Sequence, residues 1–172
     1  MTSCDIKAHI ATYFRYKRQA SLVMFERGLD TFGYGNGIPD VLIVTDDLKL
    51  IEVEVKVSYA DFKNDAKKYK WEWRERHNRK HQFYYAAPEE LAKRIKMEVL
   101  PEFGVLSVHD YGDIVVLKKA AQCKDRISHK QFWKLIRHQT GTMISLANQN
   151  ISLYRRVKEY ENEKDKQKQN KN

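Results

Sequence analysis

The chain has 172 residues and a formal net charge of +9, from 32 Lys and Arg against 23 Asp and Glu. That length suits one domain with a real core, and the basic excess favours a polyanionic partner. No apolar run reaches the ~18–20 residues of a membrane span, the start lacks a secretory pattern, and Cys4 and Cys123 have no metal-ligand spacing around them. A membrane span, a zinc module and a disulfide scaffold are therefore set aside, and a cytoplasmic protein with free thiols is expected.

Residues 2–18 read as a helix. Thr2-x-x-Asp5 resembles a capping box, and Ile6, Ile10, Tyr13, Phe14 and Lys17 recur at helical spacing. His9 shares that face and reads as a packing residue. Residues 20–26 form a strand that ends at Glu26. The glycines that follow (Gly28, Gly33, Gly35, Gly37) do not fit a dinucleotide fingerprint, because they open a strand and not a helix.

Residues 39–58 read as a hairpin whose turn is Thr45-Asp46-Asp47-Leu48-Lys49. If Thr45 pairs with Lys49 around a three-residue loop, paired positions sum to 94 and Asp40 lies opposite Glu54. Opposed side chains sit about 4.5–5.5 Å apart at Cβ. Two bare carboxylates at that distance repel, and a divalent cation between them removes the objection. Strand alternation puts Ile51, Val53, Val55 and Val57 on one face and Leu50, Glu52, Glu54 and Lys56 on the other. The plain alternative is a solvated outer face with ordinary surface ion pairs.

Residues 58–76 form the next helix, opened by a second candidate capping box, Ser58-x-x-Asp61. Phe62, Ala66, Tyr69 and Trp73 pack inward. Lys63, Lys67, Lys70 and Arg74 form a basic stripe beside them, suited to a phosphate backbone or to plain solvent. The basic stretch 74–81 carries His77 and His81 at i, i+4 spacing without a third ligand, so substrate contact or plain surface is expected. A strand over 82–87, a helix over 88–100 with Leu91, Ile95 and Val99 inward, and a hairpin of 104–108 with 113–118 complete an α/β arrangement around a mixed sheet. From Ser128 the pattern is helical again, through Phe132, Leu135, Ile136, Met143, Leu146 and Ala147. Residues 151–172 lose aliphatics and read as a frayed helix or a disordered tail. The expected division is 1–125 for the α/β domain, 126–150 for a helical extension and 151–172 for the tail.

Pro39-Asp40 followed by Glu54-Val55-Lys56 resembles the signature of the PD-(D/E)XK nuclease superfamily. The run from Ile51 to Asp65, with Ser58, Asp61 and Phe62 after the Glu-Val-Lys, is similar to its MmcB-like branch of DNA-repair and phage-associated proteins. So are the aromatic strand leading to Pro88-Glu89-Glu90-Leu91 and, more loosely, the block from Phe103 to Val108 followed by residues 114–119. The likeness covers roughly residues 20–120. It implies a restriction-endonuclease-like core, αβββαβ plus a helix and a β-hairpin, with a C-terminal helical extension.

The resemblance further implies a Mg²⁺-dependent deoxyribonuclease, with Mn²⁺ as a substitute, in a bacterial or phage-infected cell. Asp40, Glu54 and the backbone carbonyl of Val55 would hold the metal. Lys56 would position the attacking water or stabilise developing charge. Glu26, at a strand end where relatives commonly carry an acid, is a further candidate. Glu52 is expected behind the site, orienting Lys56 or metal waters. Replacing Asp40, Glu54 or Lys56 by Ala is expected to abolish cleavage with the fold intact. Many superfamily members place an acid on the first helix, and here Asp5 stands only at its start. That departure sustains a second reading, a DNA-binding module that cuts nothing. A third is a small interaction protein acting on a host or phage system. The expected partner is DNA, without a membrane, and a homodimer is left open.

Overall fold

The computed structural model describes residues 1–26, 38–65 and 81–169, with side chains through residue 164. Two compact units divide the chain after Phe132. In the first, α1 (Ser3–Thr12) begins at a complete capping box: Asp5 N–H donates to Thr2 Oγ1 at 3.2 Å, and Thr2 N–H donates to the Asp5 carboxylate at 2.7 Å. The helix widens into a π-helical turn over Tyr13–Lys17 and the chain reverses at Gln19, where φ is 53°. Then follow β1 (Leu22–Phe25), β2 (Val41–Val44), β3 (Leu50–Val55), α2 (Tyr59–Asp65), β4 (Gln82–Pro88), α3 (Glu89–Glu98), β5 (Gly104–Val108), β6 (Ile114–Lys118) and α4 (His129–Gln169).

The six strands form one mixed sheet in sequential order. β1, β2 and β3 pair antiparallel, β3 with β4 and β4 with β5 pair parallel, and β6 closes the far edge antiparallel. Parallel neighbours need a crossover, which is why α2 and α3 fall between β3, β4 and β5. This is the expected fold class: αβββαβ, then a helix and a hairpin, then a long C-terminal helix.

Alternation along the strands builds two cores. On one face Ile6, Ile10 and Phe14 of the first helix cover Val41, Ile43, Ile51, Val53, Val55, Ala86, Leu106 and Val108. On the other, Phe62 of α2 and Ala92 and Ile95 of α3 cover Phe83, Tyr85, Ala87, Phe103 and Val105. All six residues of β3 are buried. The solvated outer face weighed above is therefore not what β3 presents: a strand paired parallel and covered by helices loses both faces to the interior.

The second unit holds most of α4. This 41-residue helix runs through Gly141 without a break. The residues of 151–169, expected as a frayed helix or a disordered tail, belong to it. Glu, Lys, Gln and Arg are good helix formers, and two cation–π pairs at i, i+4 support the last turns: Lys158 lies 5.2 Å from the Tyr154 ring and Lys164 4.9 Å from that of Tyr160.

Candidate functional site at the carboxyl end of β3

The β2–β3 turn sets the register. Thr45 N–H donates to Lys49 O at 3.0 Å, Leu48 N–H donates to Thr45 O at 2.9 Å, and Leu48 takes φ 62° to close the loop. The ladder then runs Val44↔Leu50, Ile43↔Ile51, Leu42↔Glu52, Val41↔Val53. The ladder ends at Val41↔Val53, one step short of positions 40 and 54. The Asp40 carboxylate reaches the last residue of β3, where its Oδ2 accepts the Val55 N–H at 2.8 Å.

The other Asp40 oxygen meets a lysine. Lys7 Nζ lies 2.9 Å from Asp40 Oδ1 and 2.8 Å from Glu26 Oε1, while Glu26 N–H donates to Asp40 O at 3.2 Å. Glu26 thus does share a cluster with Asp40. The first helix supplies a base there, and its acid, Asp5, is spent on the cap. Partial burial opposes the charge on Lys7, but hydrogen bonds from its amine to Glu26 and Asp40 outweigh it and raise the pKa well above the ordinary lysine value.

Lys56 turns toward α2. Only 2 % exposed, its Nζ lies 3.1 Å from Glu54 Oε1, 3.3 Å from Asp65 Oδ1 and 3.8 Å from Asp61 Oδ1. Tyr85 Oη donates to Asp65 Oδ2 at 3.0 Å, and the Lys56 N–H donates to Ala86 O at 2.9 Å, tying the carboxyl ends of the parallel strands together. Glu54 and Lys56 thus form a direct ion pair. Asp61 and Asp65, four residues apart on α2, join Lys56 without having been expected there. In the sequence Asp61 reads as a cap partner, and its N–H does donate to Ser58 Oγ at 3.1 Å, yet its carboxylate faces Lys56. The i, i+4 acid pair one turn beyond a buried lysine was the available signal.

Glu52 meets a histidine. It is buried, and its Oε2 lies 2.7 Å from Nε2 of His81, also buried. His81 is therefore not plain surface: it sits at the start of β4, beside the strand that carries Glu52, and a buried carboxylate takes the nearest donor. Lys63 is committed as well, at 2.6 Å from Glu98 Oε2, and that contact raises its pKa. Lys67, Lys70 and Arg74 lie outside the described residues.

Asp40, Glu54 and the Val55 carbonyl are all oxygen donors, two of them carboxylates, the kind of protein share Mg²⁺ takes beside waters and phosphate oxygens. The donor set fits the ion in type. Lys7 on Asp40 and Lys56 on Glu54 nevertheless set an ammonium against each carboxylate, Lys7 shared with Glu26 and Lys56 with Asp61 and Asp65. Among the described residues, no group of three or more His, Cys, Asp and Glu side chains could hold a metal. A separate cavity of about 380 Å³, lined by Tyr13, Arg18, Lys49, Tyr84 and Lys119 among others, includes none of the candidate residues.

No described helix is long and apolar enough to cross a membrane. No family model matches the chain, and no curated protein matches it. A solved structure is similar: a protein of unknown function from Silicibacter pomeroyi, 20% identical, with a TM-score of 0.60 over 85% of this chain and 92% of that one. At that identity, the likeness establishes the fold alone.

Proposed function

We propose that the carboxyl end of β3 is the active site of a Mg²⁺-dependent deoxyribonuclease of the PD-(D/E)XK type. The observation that carries this reading is the 2.8 Å hydrogen bond from Val55 N–H to Asp40 Oδ2. It anchors an acid from the approach to β2 against the residue that separates Glu54 from Lys56. The position suits the chemistry, since open α/β sheets bind ligands outside the carboxyl ends of their parallel strands. Asp40, Glu54 and the Val55 carbonyl would hold the ion, with Mn²⁺ as a substitute. Bound there, a divalent ion supplies phosphate polarisation and a water of lowered pKa. Within this reading Lys56 is the positioning amine, itself held in place by Glu54 and Asp65. The net charge of +9 suits DNA as the partner.

The test is incubation with end-labelled linear, circular and branched DNAs in Mg²⁺, Mn²⁺ or EDTA. Cleavage that needs the metal and is lost in Asp40→Asn supports the reading. Cleavage that survives EDTA, or that Asp40→Asn leaves whole, overturns it. One observation favours a second reading, a DNA-binding module that does not cut. Lys7 already bridges Asp40 and Glu26 as an internal cation, so part of their charge is offset without a metal. A mobility shift of the same DNAs, with no product in either metal, selects that reading.

A further inference from the structure

The C-terminal helix carries a seven-residue repeat that the proposed chemistry does not use. Residues 140–164 are exposed, and large apolar side chains stand among them: Met143, Leu146, Leu153, Val157 and Tyr160 are each more than half exposed. Counting from Ile136 as position a of a heptad, Met143, Asn150 and Val157 fall at a and Leu146, Leu153 and Tyr160 at d. The spacing alternates strictly between three and four. A straight helix drifts about 20° per heptad against such a repeat, so the row stays on one side only if two helices wind around each other.

We propose that this face is the seam of a parallel, two-stranded coiled coil with a second copy of the same chain. Two features select that occupant. Asn150 is the one polar residue among the a and d positions of 143–160, and a lone Asn at a is the residue that fixes register and favours two parallel strands. Position g of the third heptad is Arg156, and position e of the fourth is Glu161. In a parallel pair, g of one helix faces the following e of its partner, so Arg156 and Glu161 meet across the seam twice, with opposite charge. Ile144, Ile151 and Tyr154 form a row beside the seam and widen the apolar strip it closes over.

Sedimentation equilibrium of the full chain tests this. The expected mass is twice the 20.4 kDa of one copy. Leu146→Asp with Leu153→Asp should return it to a monomer while near-ultraviolet circular dichroism keeps the sheet domain's aromatic signal. Arg156→Glu should weaken dimerisation by up to roughly thirty-fold, and adding Glu161→Arg should restore it, as two surface ion pairs each worth up to about 1 kcal/mol predict. Leu153→Cys, with Cys4 and Cys123 replaced by Ser, should oxidise to a covalent dimer. A wild-type monomer at tens of micromolar overturns the proposal, as does a trimer or tetramer. Failure of the charge swap to rescue, or of Leu153→Cys to cross-link, overturns the parallel register.

Discussion

Lys7 Nζ stands 2.9 Å from Asp40 Oδ1, and the same amine holds Glu26 at 2.8 Å. An ammonium between two carboxylates competes with any divalent ion for the same oxygens. Lys7→Met should therefore tighten Mn²⁺ binding in calorimetry, about ten-fold if the competition amounts to one modest ion pair of about 1.4 kcal/mol. An unchanged dissociation constant would show that Lys7 does not compete. The raised pKa sets the sign of the pH effect. Stability from this amine is fully present below the ordinary lysine pKa and is lost only as pH rises through the shifted one, so melts between pH 7 and 9 should not register it.

Asp40→Asn is the sharper probe of the metal hypothesis. The amide oxygen can still accept the Val55 N–H, so the end of the hairpin keeps its shape while the charge goes. Metal-dependent cleavage should disappear from the gel with the melting temperature little changed. Nicking at the wild-type rate would remove Asp40 from the chemistry.

Lys56→Ala cannot be read the same way. It strips a buried amine from the carboxylates of Glu54 and Asp65. Breaking a buried pair by removing one partner costs about 3–5 kcal/mol. Urea denaturation should show that loss, and activity must be compared at matched folded fractions. A variant as stable as wild type would mean the amine contributes little to holding α2 on the sheet.

Gly104 faces Tyr84 across the β4–β5 ladder, and the ring lies where a Cβ would be, with Ala120 N only 2.8 Å from that point. Gly104→Ala should cost about 1–3 kcal/mol by overpacking, read as a lower thermal midpoint. An unchanged midpoint would mean that the ring swings aside freely.

Acid should loosen the start of α1 through Asp5. Hydrogen bonds from the Thr2 backbone and hydroxyl hold its pKa below the ordinary 3.8. A depressed carboxylate contributes above its unfolded pKa, and the contribution is lost as pH falls through the folded one. A carboxyl-detected titration of Asp5 should give that low midpoint, and Thr2→Ala should move it upward. An unmoved midpoint would take the cap out of the account.

Local rules reach a long way into this chain. A three-residue turn leaves only one antiparallel register, so Leu42↔Glu52 and its neighbours follow from Thr45 and Lys49 alone. Alternation with a period of two then sorts Val53 from Glu54, and helical spacing places Ile6 and Ile10 on the sheet. Those relations connect residues close in sequence, where backbone geometry suffices. What the long charged side chains choose as partners is set by elements far apart in the chain. Lys7 reaches Asp40 because α1 lies across the sheet, Lys56 turns to Asp65 because α2 closes over β3, and Glu52 takes His81 because β4 starts beside it. A buried charge settles on whichever opposite group the packing delivers, and only the assembled tertiary structure decides which group that is.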